Sequence, residues 1–349
     1  MPPAARFAGP QAGAVLRATG GAARHRPVPV GGHLAAQQRR CGHRPRWTLR
    51  ARLAAWAWAW AWALWLPVAG AQTAASPVAD PPDRLIDQRT GQATTPQALL
   101  AELRQADVVL LGEWHDQPAH HARRAALLAA LQGSGAVVVA EHLQRGLSLA
   151  RGDAPLLARL GAAGFDARGW DWPMHEPLLA AIDAAGLPLR GGNLPPALAR
   201  RIAREGELAV PPELMPLLRA AALPAPARAA LDDELQQGHC GQLPAARLPD
   251  MRLAQRARDA AMWLALATSG GRPAVLLAGN GHVRLDHGVP QIALASSAGL
   301  RLVSVGFGAL GDAPTGPYSV LWLTPVQPRP DPCAEALPAA PAASAVPGR

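Results

Sequence analysis

The sequence predicts an α/β fold: a mostly parallel central sheet flanked by helices, with two strand-Gly-x-x-His halves and a helical insertion. Three observations carry that reading. Short apolar runs alternate with longer helix-like stretches, as expected of parallel strands joined by crossover helices. Two of the runs end in the same turn. Val108-Val109-Leu110-Leu111 leads into Gly112-Glu113-Trp114-His115, and Ala274-Val275-Leu276-Leu277-Ala278 leads into Gly279-Asn280-Gly281-His282. A third run, Ala136 to Ala140, leads into Glu141-His142. Strand ends of an open α/β sheet, where loops begin, are the usual place for functional side chains.

Taken in order, Arg84 to Thr94 reads as a hairpin around Thr90-Gly91. Pro96 to Ala106 is a helix, with Thr95 as cap and proline at the first position. Strand 107–111 follows, then a helix from Pro118 to Leu131 stopped by Gly133-Ser134-Gly135. The second strand is 136–140. After loops and short helices over 153–169, Glu176 to Ala185 is helical, and Leu187 to Arg190 is a strand ending in Gly191-Gly192-Asn193. Helical stretches follow over 195–205, 212–221 and 226–237. Met251 to Thr268 is the longest helix, with Ala254, Ala257, Ala261 and Leu264 on one face. Strands over 274–278, 301–305 and 319–323 complete the sheet.

The formal charge of +9 misleads about partners. Residues 1–71 hold ten arginines and no acidic residue, so the remainder is close to neutral. A nucleic-acid partner is therefore not indicated. The same segment has the order of an export signal. A basic region ends at Arg52, the apolar run Leu53 to Val68 carries Trp56, Trp58, Trp60, Trp62 and Trp65, and Ala69-Gly70-Ala71 is a small-x-small cleavage pattern. The expectation is cleavage near Ala71 and a periplasmic or secreted protein. Residues 72–326 would then form one α/β domain, and 327–349 a disordered Pro/Ala-rich tail. Cys41 would be removed with the signal. Cys240 and Cys333 remain, and in an oxidising compartment such a pair is most simply a disulfide.

Histidines and carboxylates meeting at strand ends can ligate a divalent metal or perform acid/base chemistry. The candidate metal set is His115, His282, Glu113 and Glu141, with Glu113 and Glu141 the candidate catalytic groups. Glu141 otherwise reads as a salt-bridge partner of Arg145. His120 and His121, at a helix start, read as solvent-facing, and His287 as a turn residue. Arg252, Arg256 and Asp259 read as surface pairs on their helix. Trp170 and Trp172 either line an apolar pocket or fill the core. His239, beside Cys240, is a candidate for the crevice.

Six blocks in order carry a resemblance: Leu110–His115, Val138–Glu141, Asn193–Pro195, Gly238–Gly241, Ala254–Met262 and Gly279–His282. In this order they resemble the ChaN-like haem-binding uptake proteins of the Tiki/EreA/ChaN superfamily, over about residues 105–310. The two Gly-x-x-His motifs and paired glutamates of that superfamily match Gly112/His115, Gly279/His282, Glu113 and Glu141. The resemblance implies a periplasmic or outer-membrane-associated haem-binding protein for iron uptake, with a homodimer expected. Family ligation is through tyrosine, whereas Tyr318 is the only tyrosine here and lies outside the blocks. His175, in Trp172-Pro173-Met174-His175-Glu176-Pro177, is the expected axial substitute. The cofactor expected is haem, with His175, Trp170, Trp172, His239 and Tyr318 around it. The alternative is a metal-dependent hydrolase, a peptidase or esterase using a divalent ion. A non-catalytic envelope scaffold is the third reading.

Overall fold

A computed structural model describes residues 82–334, apart from 315, 326, 329, 330 and 332. The proposed signal segment, Cys41 and most of the Pro/Ala-rich tail lie outside the described residues. Among the described residues no helix is long and apolar enough to cross a membrane.

Among the described residues, eight strands form one sheet. They are β1 (Arg84–Asp87), β2 (Gln92–Thr94), β3 (Val108–Leu111), β4 (Val137–Gln144), β5 (Leu189–Asn193), β6 (Ala274–Leu277), β7 (Leu302–Ala309) and β8 (Val320–Thr324). Their spatial order is β2-β1-β8-β7-β3-β6-β4-β5. The six strands from β8 to β5 run parallel, and the β1–β2 hairpin adds an antiparallel edge. This is the mostly parallel sheet the sequence predicts. The hairpin turns at Gly91, whose φ of +70° is the left-handed conformation glycine adopts freely.

Every residue of β3 and β6 is buried, as a central strand covered on both faces requires. Alternate residues divide between two cores. Val109, Leu111, Val138 and Ala140 face the core closed by α1 (Pro96–Gln105), α2 (Pro118–Ala130), α3 (Leu156–Ala162) and α4 (Glu176–Ala184). Val108, Leu110, Val139 and Leu276 face the opposite core, built on α5 (Pro196–Glu205), α8 (Leu248–Ala267) and α10 (Val289–Ser296). Helices α6 (Met215–Ala220) and α7 (Ala225–Gly238) form the insertion before α8, and α9 (Asn280–Val283) is the short turn after β6. Helix α1 starts where its cap predicts, with Thr95 Oγ1 accepting from the Ala98 N–H at 3.1 Å.

Two boundary differences from the sequence reading bear on the site. β4 continues past Ala140 to Gln144, so Glu141 and His142 lie within the strand. β5 includes Gly191, Gly192 and Asn193 rather than ending before them. The glycines read as a stop, yet they permit pairing: a side chain on Gly191 would collide with the Gln144 backbone across a register shift in β4.

The two remaining cysteines are joined as expected. Cys240 and Cys333 form a disulfide with a Cα–Cα distance of 5.5 Å.

Candidate functional site

The site lies where β3 and β6 end, beside Glu141 and His142 of β4, which runs on to Gln144. β3 and β6 are paired through Leu111 and Leu277, so the two glycine-histidine turns leave the sheet side by side. Asn280 locks them. Its side-chain amide donates to the Phe307 carbonyl at 2.7 Å, its Oδ1 accepts from the Phe307 N–H at 3.0 Å, and its own N–H donates to the Glu113 carbonyl at 3.0 Å. A side chain on Gly112 would strike Asn280 Oδ1, which explains the glycine that opens the first turn.

Because neighbours on a strand point to opposite faces, β4 sends His142 one way and Glu141 the other. On the α2/α4 face, His142 meets Glu113, His115 and His175. Each of these four residues offers a ligand atom, and the atoms all lie within 4.8 Å of one another. Glu113 Oε1 is 2.5 Å from His115 Nδ1, 3.1 Å from His142 Nε2 and 3.8 Å from His175 Nε2. Glu113 Oε2 pairs with the fully buried Arg124. Arg124 also contacts His121 Nδ1 at 2.8 Å, and His121 Nε2 lies 3.0 Å from the His115 carbonyl. His142 Nδ1 and both nitrogens of His175 have no side-chain hydrogen bond, and the Trp170 backbone approaches His175. Trp170 packs against the rings of His115, His142 and His175 with centroids at 4.9, 4.4 and 5.7 Å.

Burial holds these imidazoles neutral. His142 is pushed well below its ordinary value by burial, then by the nearby His175 and Arg124. His175 falls to about 3 for the same first cause, reinforced by His121 and Arg124. His115 is also lowered by the protein packed around it, with Glu141 opposing. It is nevertheless the ring open to solvent, its side chain 46% exposed against 2% or less for His121, His142 and His175.

On the α8 face the arrangement is ionic and complete. Glu141 accepts from Arg258 Nη2 at 2.5 Å and from the Gly279 N–H at 2.8 Å. His282 lies between two carboxylates, with Nδ1 2.6 Å from Asp259 and Nε2 3.4 Å from Glu141. Arg258 is held in turn by Asn193 Oδ1 and Gln255 Oε1, each at 3.1 Å. Burial opposes charge on His282, but Glu141 and Asp259 outweigh it and raise the imidazole to about 9. Burial likewise opposes ionisation of Glu141, but His282 and Arg258 hold it well below the usual carboxylate range. The faces approach each other at Gly279, where an added Cβ would stand 3.0 Å from His115 Nε2 and 3.8 Å from Glu141 Oε2.

The family described as haem-binding uptake, Tiki superfamily, ChaN, matches residues 99–292. The chain belongs to this family. A solved structure of ChaN from Campylobacter jejuni, described as showing cofacial heme binding, shares the fold. Its TM-score is 0.57 at 19% identity, covering 69% of this chain and 96% of that one. Among curated proteins none matches the chain.

Within this ChaN-family chain, Glu113, His115, Glu141 and His282 converge at one edge of the sheet but split between its two faces. The nearest donors to Glu113 and His115 are His142 and His175, rather than Glu141 and His282. Trp172 packs on Phe165 at the margin of the core, 5.7 Å between centroids. His239 is away from the cluster, exposed after α7, with Nδ1 2.7 Å from the Leu235 carbonyl. Tyr318 is buried against Gly306 in the α8-side core.

Several expectations are corrected. His120 and His121 are buried rather than solvent-facing, since α2 packs its first turn against the strand ends. Glu141 pairs with Arg258, while Arg145 reaches Glu213 instead, because β4 is still extended at Gln144 and Arg145 is not one helical turn away. Asp259 and Arg256 are buried, and Arg252 pairs with Asp232 on the neighbouring helix rather than along its own. His287 is also buried, 3.4 Å from Glu234. Sequence reasoning missed Arg124, Arg258 and Asp259 as parts of the site. A carboxylate inside an apolar strand demands a buried cation, and the Ala254–Met262 block already held Arg258 and Asp259. The cavity lined by Asp107, Trp263 and Leu300 lies by the first residues of β3 and β6, at the opposite end of the strands from the site.

Proposed function

We propose that this protein binds haem for iron uptake in the periplasm, and that His115 presents the axial nitrogen. The observation that carries the reading is the state of His115. It is the open imidazole of a ChaN-family cluster, and its Nδ1 is engaged by Glu113 at 2.5 Å. A carboxylate on one nitrogen fixes the ring and directs the other outward, the usual arrangement behind a metal-ligating histidine. The missing side chain of Gly279 leaves room beside Nε2. Trp170, edge-on to the same ring, offers apolar surface for a porphyrin. Bound haem would supply an iron able to accept that nitrogen. The axial role passes from His175 to His115 because the His175 ring is enclosed by His121, His142 and Trp170. Tyr318, in the opposite core, does not serve.

Export is part of the proposal, supported by the basic, apolar and small-residue order of residues 1–71 and by the disulfide. Envelope association and a homodimer follow from the family resemblance. The test is haem titration of the exported protein. A Soret shift that is lost in His115→Ala and in Gly279→Val, but kept in His175→Ala, is expected. An unchanged Soret band in His115→Ala defeats the axial assignment. N-terminal sequencing of the envelope form should begin at Gln72, and analytical ultracentrifugation with and without haem checks the dimer.

The second reading, a metal-dependent hydrolase, is favoured by the Asp259–His282–Glu141 line of contacts. A charged imidazole held between carboxylates beside a strand-end crevice can donate a proton to a leaving group. Turnover of an ester or peptide that depends on His282 would support it, and none with the metal-loaded protein would remove it.

A further inference from the structure

We propose that Glu113, His115, His142 and His175 bind one divalent first-row transition-metal ion. Three segments deliver the four donors. Glu113 and His115 come from the loop after β3, His142 from β4, and His175 from the residue preceding α4. Donors around a zinc-like ion at about 2.1 Å sit roughly 3.4 Å apart. The separations of 2.5, 3.1 and 3.8 Å from Glu113 Oε1 to the three imidazoles bracket that spacing.

The second observation is independent of spacing. His175 is buried with no side-chain hydrogen bond on either ring nitrogen, its one backbone approach coming from Trp170, and His142 Nε2 has Glu113 Oε1 as its partner. Leaving a buried polar atom without a partner is costly, and α2, α4 and β4 pack these rings against one another rather than against backbone acceptors. A cation drawing on one lone pair of His175 relieves part of that cost. Glu113 is prepared for the same role: Arg124 holds Oε2, which leaves Oε1 directed at the three histidines. Trp170 closes the outer side of the cluster.

The donor set defines the class of ion. Three imidazole nitrogens and one carboxylate oxygen suit Zn²⁺, Fe²⁺ or Co²⁺. Ca²⁺ and Mg²⁺ require oxygen-rich shells, and Cu⁺ prefers sulfur. Glu141 and His282 are outside the set because Arg258 and Asp259 already satisfy them on the other face of the sheet. The inference does not depend on the haem reading, since His142 and His175 serve the ion alone. His115 would reach the ion through Nδ1, which places the proton of the neutral ring on Nε2, so a given His115 serves either the ion or the haem iron.

The experiment uses the exported full chain, purified without a histidine tag, stripped with chelator and titrated with Co²⁺ and Zn²⁺. One Co²⁺ per chain with visible ligand-field bands is expected, as is a Zn²⁺-dependent rise in Tm for the unsubstituted protein. His175→Ala and His142→Ala should each weaken binding by at least about 100-fold, beyond the loss typical of a residue that only orients a ligand. His239→Ala should bind like the parent. Absence of both the bands and the Tm rise in the parent overturns the proposal, and so does stoichiometric binding retained in both cluster variants. The parent measurements stand even if a variant fails to fold. A Soret band that survives in His175→Ala while Co²⁺ binding is lost separates this site from the haem site. Failure of haem binding alone leaves the Co²⁺ result unchanged.

Discussion

The two faces of β4 treat charge in opposite ways. On the α2/α4 face, His142 and His175 are neutral, buried and short of partners, around one carboxylate already matched by Arg124. On the α8 face, Glu141, Asp259, His282 and Arg258 close a network in which each charge has an opposite neighbour. Two adjacent residues of one strand therefore stand at the centres of unlike environments. The lesson is that neutral lone pairs suit a site that receives a cation, while satisfied ion pairs hold a loop in place.

The sharpest way to break this comparison is Glu113→Ala. It leaves the Arg124 guanidinium buried without a counter-charge, and losing one partner of such a pair costs about 3–5 kcal/mol. Urea unfolding with chelator present measures it, and a loss below about 1 kcal/mol would show that Arg124 escapes to water.

The faces should also differ in the sign of their pH dependence. His120 packs on Phe307 with its ring nitrogens near the Trp114 N–H and the Gly308 carbonyl, and burial lowers it to about 4. The unfolded chain takes up that proton first. The stability from His120 is thus full above its unfolded value of about 6.5 and lost as pH falls toward 4, about 3 kcal/mol in all. His282 is raised, so its contribution is full below about 6.5 and lost as pH rises through about 9. Tm measured from pH 4 to pH 10 should decline at both ends, with His120→Gln flattening the acid limb and Asp259→Asn the alkaline one. A profile in which neither variant changes its own limb contradicts the assignment.

Asp259→Asn has a smaller expected cost, about 1.5–3 kcal/mol for a hydrogen bond to a charged group. It should also bring the His282 titration down toward neutrality, which NMR of the ring protons can follow. At the bottom of the scale, Arg201 and Glu205 form an i,i+4 pair with both side chains 53% exposed. Arg201→Ala should change stability by less than about 0.5 kcal/mol, and a larger change would show that surface charge matters here more than the buried contrast suggests.

The sheet was legible because apolar runs of four or five residues between glycine-bearing turns have few alternatives to a buried strand. The convergence of Glu113, His115 and His282 was legible because parallel strands end at a common edge. The division into two faces was not, although alternation along β4 contains it. It requires knowing that β4 runs to Gln144, which in turn requires the close pairing that Gly191 permits. His120 and His121 were misplaced because histidine is equally at home in water and in a polar core. Only the packing of α2 decides, and that packing depends on α4, more than 50 residues away in the chain.

The Cys240–Cys333 bond has a consequence for how the protein comes apart. It closes a ring of chain, 93 residues in sequence separation, that contains α8, β6, α9, α10, β7 and β8. A protease that nicks the loop between β7 and β8 opens the ring without releasing either piece. The cut protein should run as one band on a non-reducing gel and as two after reduction, with the fragment boundary reporting where the surface was cleaved.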